Sequence, residues 1–174
     1  MNMNKNSSPE EQVVIVDEEN RVIGSAGRSV MRRYNLIHRA TYILLFNARG
    51  QLFVQKRTAG KDVYPGCYEV AVGGVVQAGE EYDVSAQREL AEEVGIADAV
   101  LSPLFDFYWQ DERNKVWGMA YACAADGPLT LQPEEVESGQ FMDIDDILRL
   151  CRTQPFTPDG IYLLGRYLTD HESV

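Results

Sequence analysis

The sequence has few histidines and cysteines and no long apolar run, and each shortage argues against a class of protein. Its 174 residues include two histidines and three cysteines, with no CxxC spacing. A zinc site built from His and Cys, or a disulfide framework, is therefore not expected. The apolar runs are far shorter than the roughly 18 residues that a membrane-spanning helix needs. We expect no membrane partner, and mostly buried thiols in a reducing, cytoplasmic compartment.

Positive charge is also scarce. The chain has 16 Lys and Arg residues against 27 Asp and Glu residues, a net charge of −11. A protein that grips a nucleic-acid duplex needs a basic surface, so a duplex is not an expected partner. The excess of carboxylates fits either a well-solvated surface or carboxylates gathered around a cation. Composition alone does not decide between the two.

The pattern of apolar residues predicts one α/β domain. Residues 1–11 are polar and are expected to form a flexible N-terminal tail, and residues 12–174 suit a single domain. Strand-like runs outnumber helical ones, and both are spread along the chain, which predicts a mixed β-sheet sandwiched between helices. The predicted strands are 13–16, 21–23, 40–46, 51–56, 68–72, 105–109, 116–123 and 139–142; the predicted helices are 29–34, 82–94, 143–151 and 157–168.

The clearest helix, 82–94, carries three carboxylates on one face. Glu89, Glu92 and Glu93 are spaced i, i+3 and i+4, so their side chains are neighbours. The adjoining arc of the helix is apolar and can pack on a sheet. Oxygen ligands at this density suit Mg²⁺ or Mn²⁺. For this fragment alone, a solvated helix face is the alternative interpretation.

The wider spacing favours the metal site. The pattern G-x5-E-x7-R-E-U-x-E-E-x-G-U, with U apolar, is met at every position, with a chance on the order of 10⁻⁸ per chain. Its members are Gly74, Glu80, Arg88, Glu89, Leu90, Glu92, Glu93, Gly95 and Ile96. This pattern is the signature of the Nudix hydrolases, and the chain resembles that family. The resemblance implies the Nudix fold.

The resemblance also reaches a branch of the fold outside the hydrolases. The order of elements from His38 through the loop 57–66 to Glu80 is similar to that of type-1 isopentenyl-diphosphate isomerases. The isomerase, however, uses a cysteine where Gly73 stands here and a histidine where Val75 stands. His38 matches one isomerase histidine, but it is also explained as a hydrogen-bonded residue at the start of a strand. The isomerase is therefore the least favoured function.

The activity implied by the Nudix resemblance is metal-dependent hydrolysis of an acid anhydride. The substrate would be a nucleoside diphosphate linked to another group X, or a related phosphorylated metabolite, and the cofactor Mg²⁺ or Mn²⁺. A domain that binds a nucleotide or phosphometabolite without turnover is the alternative. The identity of X, the phosphorus attacked, the number of metals and the oligomeric state stay open, although the N-terminal hairpin could pair across a homodimer.

The resemblance further implies roles for the carboxylates. Glu92 and Glu93 would be the main metal ligands, Glu89 a ligand or the general base, and the Gly73 carbonyl a further ligand. Many Nudix enzymes add a carboxylate from a later loop. Glu135 is favoured for this role over Glu134 and Glu137, with a solvated loop as the alternative.

The remaining candidates support the ligands or bind the substrate. Arg88 would orient the carboxylates, and Glu80 together with Gly74 would fix the loop behind them. Arg57 and Lys61 correspond to diphosphate-binding positions in the isomerase family. A guanidinium and an ammonium beside one loop suit a phosphate, although ordinary surface charges explain them equally well.

Overall fold

Eight strands of the described residues form one mixed sheet. The computed structural model of the chain describes residues 9–171. Residues 1–8 of the predicted tail lie outside the described residues, whereas Glu10 and Glu11 contact the first helix through Ser29 and Arg28. The strands are β1 (Gln12–Val16), β2 (Val22–Gly27), β3 (His38–Phe46), β4 (Leu52–Arg57), β5 (Tyr68–Glu69), β6 (Ser102–Gln110), β7 (Lys115–Ala124) and β8 (Val136–Met142).

Four helices complete the described part of the chain, and they cover both faces of the sheet. They are α1 (Arg28–Arg33), α2 (Tyr82–Val94), α3 (Ile144–Leu150) and α4 (Pro158–His171). None of them combines the length and apolar character needed to cross a membrane. The predicted α/β architecture, a mixed sheet sandwiched between helices, is confirmed.

Strand β3 is the centre of the sheet. It pairs in parallel with β7 over nine residue pairs, from His38 with Val116 to Phe46 with Ala124. It also has antiparallel contacts with β1 and β4. Strand β6 is antiparallel to β7, β8 to β4, and β2 lies at an edge beside β1. The apolar residues Val22 and Ile23 are exposed at that edge, and a homodimer through it stays a prediction.

Alternate residues of β3 belong to two separate cores. Tyr42 and Leu44 pack in the core that holds the buried residues of α3 and α4. Ile43 and Leu45 face the other way and pack with Ala86, Leu90 and Val94 of α2. This alternation follows from the two-residue period of a strand. The apolar arc predicted for residues 82–94 is therefore the surface through which α2 docks on the sheet.

The segment predicted as a strand over residues 68–72 is regular only at β5. The difference arises because the chain changes its pairing partner there. Tyr68 and Glu69 pair with β4, whereas Val72 bridges to Ile43 and Val75 to Ala40, both in β3. This switch carries Gly73 and Gly74 across the sheet toward the start of α2.

The three cysteines are free thiols. Cys123 is buried, and burial raises the pKa of its thiol. Cys67 and Cys151 are half-buried, so the expectation of buried thiols is met by Cys123 alone.

Leu90→Ala tests the docking of α2. Leu90 is fully buried, so truncation should lower the free energy of unfolding by about 2–5 kcal/mol through lost apolar contact and a cavity. Urea unfolding followed by circular dichroism measures this change. Val84→Ala, on the exposed side of the same helix, is the matched control and should change stability by less than about 0.5 kcal/mol. Equal effects of the two substitutions would contradict this packing.

Candidate active site

The carboxylate face of α2 lies against the Gly73–Gly74 segment, and this close approach requires glycine. Gly73 has φ +149°, and a Cβ there would lie 2.0 Å from the Thr41 carbonyl oxygen. A Cβ on Gly74 would lie 2.5 Å from the carboxylate of Glu89. Side chains at these positions would push the segment away from β3 and from α2. Gly74 thus supports Glu89 by leaving room for it.

Arg88 joins the carboxylates of the predicted motif. Its guanidinium donates to both carboxylate oxygens of Glu80 at 2.8 and 3.0 Å and to Glu89 Oε1 at 2.8 Å. It reaches Glu92 Oε2 at 3.3 Å and the Val75 carbonyl at 3.3 Å. Glu80 in turn accepts from the backbone N–H of Gln77 at 3.1 Å, which closes the loop before α2. Arg88 thus lies between these carboxylates, and its role in orienting them stays a prediction.

Glu93 and Glu89 are buried, whereas Glu92 is exposed. Glu93 Oε2 accepts from Gln55 Nε2 at 3.3 Å and from the Gly73 N–H at 3.4 Å. Burial, followed by repulsion from Glu89, raises the pKa of Glu93 to about 8. Burial likewise raises the pKa of Glu89. Carboxylates desolvated side by side lower their free energy when a cation joins them, so this donor set fits a hard divalent ion.

These carboxylates line one cleft with Glu135. The cleft has a volume of about 160 Å³. Glu135 is in contact with the ammonium of Lys61. Glu137, on β8, instead pairs with Lys56, on β4, at 3.3 Å. Of the three carboxylates predicted for this loop, the structure brings Glu135 to the cleft. Within residues 9–171, no three acidic, His or Cys side chains converge on one metal-binding point. Arg88 and Lys61 occupy several of the carboxylate oxygens concerned.

A second cavity, with a volume of about 60 Å³, adjoins the cleft. Lys61 lines both cavities, and burial lowers the pKa of its ammonium. Arg57 lines the second cavity only, where its guanidinium donates to Glu69 at 2.7 Å and to the Val63 carbonyl at 2.8 Å. The structure therefore places Arg57 in a half-buried ion pair beside the predicted diphosphate site. Its contact with substrate stays a prediction.

The second cavity contains residues that sequence reasoning missed. Arg28 and Arg32 come from α1, Tyr42 from β3, Asn114 from the β6–β7 loop and Asp159 from α4. Asp159 accepts from the Tyr42 hydroxyl at 2.7 Å, and burial raises the pKa of its carboxyl. Their separation in sequence left no local spacing to detect. The sequence offered one signal, which is that Asp159 directly follows the Thr-Pro start of a helix. Acidic residues are, however, common in the first turn of any helix, because they interact favourably with the helix dipole.

His38 lies at the start of β3 and is buried. Its Nδ1 is 3.0 Å from the Leu36 carbonyl oxygen, and its Nε2 is 3.4 Å from an Arg32 nitrogen. A neutral ring that donates from Nδ1 and accepts at Nε2 satisfies both partners. Burial is the main cause that lowers the pKa of His38 to about 3, and the positive charge of Arg32 is the second. The interpretation of His38 as a hydrogen-bonded residue at a strand start is confirmed.

A family model described as the NUDIX domain matches residues 36–162, most of the chain. The chain belongs to the Nudix hydrolase family. This membership makes it a hydrolase of pyrophosphate-containing substrates.

Its relatives share nearly the whole length. An uncharacterized Nudix hydrolase of Pseudomonas aeruginosa is 44% identical over 162 residues, covering 93% of this chain and 96% of the relative. The uncharacterized Nudix hydrolase YfcD of Escherichia coli is 41% identical over 158 residues, covering 91% and 87%.

Solved structures agree on the fold. A crystal structure from Deinococcus radiodurans superposes on this Nudix hydrolase with a TM-score of 0.79 at 25% identity, covering 90% of this chain and 98% of that chain. The NUDIX domain of Shewanella oneidensis NrtR, solved in complex with ADP ribose, gives a TM-score of 0.60 at 16% identity, covering 76% and 86%. At 16% identity, this second comparison shows only that the two chains share a fold.

The neutral state of His38 predicts a pH-dependent stability in this Nudix hydrolase. Because the folded-state pKa lies below the unfolded value of about 6.5, this contribution is complete above that pH and is lost as pH falls toward 3. Between pH 7.5 and 5.0 the loss should be about 2 kcal/mol. Urea unfolding in chelator at both pH values measures it.

His38→Asn is the comparison, because an amide can still donate to the Leu36 carbonyl but does not titrate. The drop in stability between the two pH values should be smaller in His38→Asn by about 2 kcal/mol. Equal drops in the parent and in the variant would show that His38 is not held neutral in the folded state.

Proposed function

We propose that this Nudix hydrolase uses Mg²⁺ or Mn²⁺ to hydrolyse the diphosphate linkage of a nucleoside diphosphate linked to a group X, or of a related phosphorylated metabolite. The observation that carries the proposal is that Glu89, Glu92, Glu93 and Glu135 all line one cleft. The Shewanella NUDIX domain, solved with ADP ribose, shows that this fold can hold a nucleoside diphosphate linked to a second group, the class of substrate proposed here.

The residues of the cleft fit a divalent cation. Glu92, Glu93 and the Gly73 carbonyl would hold it, with Glu135 as a further ligand from the loop before β8. When bound, the cation would neutralise the charge of the diphosphate and lower the pKa of the attacking water. Buried Glu93 lacks a cationic hydrogen-bond partner among the described residues, and its two hydrogen bonds come from an amide and a backbone N–H.

Glu89 is proposed as the general base. Arg88 donates to its Oε1, which fixes the carboxylate and leaves Oε2 to accept the proton of the attacking water. A base held by a partly buried ion pair loses little conformational freedom before the reaction. Arg88 is also held by Glu80, so the orientation of Glu89 depends on the loop that precedes α2.

Lys61 is proposed to bind the diphosphate. Its ammonium lies where the two cavities meet and is paired with Glu135. A phosphate oxygen would replace that carboxylate as its partner. Glu135 would then be available to the cation in the cleft. Arg57, held by Glu69, would keep the loop and Lys61 in place.

Substitutions in α2 test the proposed roles. Glu89→Gln keeps the shape but removes the base, so kcat should fall by roughly 10²–10⁴ with a smaller change in KM. Glu92→Gln and Glu93→Gln should raise the concentration of Mg²⁺ needed for half-maximal activity. Product chromatography on a panel of diphosphates, with Mg²⁺ or Mn²⁺, gives the rates.

Glu137→Gln is the matched control, because this carboxylate lies outside the cleft and pairs with Lys56. It should retain the parent rate. Full turnover in excess chelator would contradict the metal requirement. Parent rates in all three variants of α2 would place the reaction elsewhere, and binding of the panel without any product would favour the non-catalytic alternative.

A further inference from the structure

The second cavity is positioned to receive a group attached to the diphosphate. It shares Arg28, Lys61, Gly73 and Gly74 with the carboxylate cleft, so a diphosphate at these residues would direct one substituent into it. Its volume of about 60 Å³ has room for a few water molecules. A group that enters must therefore be compact, or must present only its end.

The cavity changes character from its mouth to its floor. Arg28 is the most exposed of its cations, with one third of the side chain accessible, and Arg32 lies deeper. Tyr42, Asn114 and Asp159 are all buried and form the floor. Cations at the mouth suit the phosphate, and hydrogen-bonding groups on the floor suit an uncharged polar group.

The floor places acceptors beside donors. The Asp159 carboxylate accepts hydrogen bonds from the Tyr42 hydroxyl at 2.7 Å, from Asn114 Nδ2 at 3.4 Å and from the backbone N–H of Gly160 at 3.0 Å. An ionised carboxylate has about four acceptor positions, so a further donor can be accommodated. Arg32 NH1 donates to Asn114 Oδ1 at 3.3 Å on the same side. A hydroxyl group both donates and accepts, and it matches this pairing.

Other chemistries match the floor poorly. The cations that line the cavity are already paired with carboxylates, so a second phosphate on the floor would meet the carboxylate of Asp159 with no free cation among the described residues there to offset the repulsion; these cations are Arg28, Arg32, Arg57 and Lys61. An alkyl chain would cover the remaining acceptor position of Asp159 without giving it a donor, which is costly.

We propose that the second cavity recognises hydroxyl groups of X, as in a sugar or polyol, and that Asp159 is a specificity-determining residue. The proposal rests on the proposed function above and names the part of the substrate that enters this cavity. Arg28, which would contact the phosphate at the mouth, and Arg32, which lies deeper, both precede residues 36–162 matched by the family model. The unit formed by β1, β2 and α1 thus supplies part of the recognition.

Binding of monophosphate esters tests the proposal without turnover, since these compounds lack the scissile linkage. Calorimetry in Mg²⁺ compares ribose 5-phosphate, which carries hydroxyls, with 3-methylbutyl phosphate, which does not. The parent should bind ribose 5-phosphate at least about tenfold more tightly, because a site built for hydroxyls rejects an analogue without them. Equal affinities would overturn the proposal.

Asp159→Asn identifies the residue responsible. It removes a charged acceptor, so the affinity for ribose 5-phosphate should fall by about tenfold while that for inorganic phosphate changes less than about twofold. Asp145→Asn is the matched control, because Asp145 is likewise the second residue of its helix, α3, but lies exposed. Unchanged selectivity in a folded Asp159→Asn protein would overturn the assignment. If that variant does not fold, Asn114→Ser removes the neighbouring floor contact and should lower the same selectivity.

Turnover separates this proposal from the proposed function. Faster hydrolysis of sugar-linked diphosphates than of nucleoside triphosphates would support both. Hydrolysis without that preference would overturn the role of the cavity and leave the hydrolase assignment intact. If no diphosphate is hydrolysed, the proposed function fails, and the calorimetric comparison still decides whether the cavity recognises hydroxyls.

Discussion

The guanidinium of Arg88 holds together carboxylates that would otherwise repel one another. It bonds with Glu80 in the loop before α2 and with Glu89 and Glu92 in the helix itself, in a chain whose net charge is −11. The hydrogen bond from Arg88 is the main cause that lowers the pKa of Glu80. Glu93, one turn beyond Glu89, is outside this network and is the most deeply buried of the α2 carboxylates. Arg88 therefore offsets part of the repulsion on the acidic face that α2 turns toward the sheet. In our proposal, a divalent cation bound from solution offsets the rest.

The other cations of the site are likewise paired with carboxylates. Lys61 contacts Glu135, Arg57 contacts Glu69, and Arg28 pairs with Asp62. Breaking such a partly buried pair leaves a charge with too few partners, so exchange is favourable only when another charge replaces the lost one. Polyanionic substrates and divalent cations arriving together satisfy this condition. Among the described residues, the carboxylates at the place where the two are expected to bind are thus paired with cations of the protein, apart from Glu93.

The sequence specified the parts of the fold that depend on local spacing. The bounds of α2, the left-handed Gly95 that ends it and its apolar arc all follow from the helical period and from glycine's freedom at positive φ. The parallel pairing of β3 with β7 and the change of partner after Glu69 could not be predicted, because they depend on residues far apart in the chain. For the same reason the motif indicated the carboxylate cleft but gave no sign of Asn114 or Asp159.

In the proposals made above, chemistry and selectivity depend on different parts of the chain. The carboxylates come from one helix and one loop, whereas the second cavity draws on α1, β3, the β6–β7 loop and α4. Asp62 joins these parts, because it accepts from Arg28 at 3.2 Å and from Arg32 at 3.0 Å. Burial by itself would raise the pKa of Asp62, but Arg32 and Arg28 outweigh it and hold the pKa below the ordinary value. Asp62 therefore remains charged and fastens α1 to the loop that carries Lys61. A change in this loop would move the mouth of the cavity without altering the acidic face of α2, so related chains with the same motif can differ in substrate.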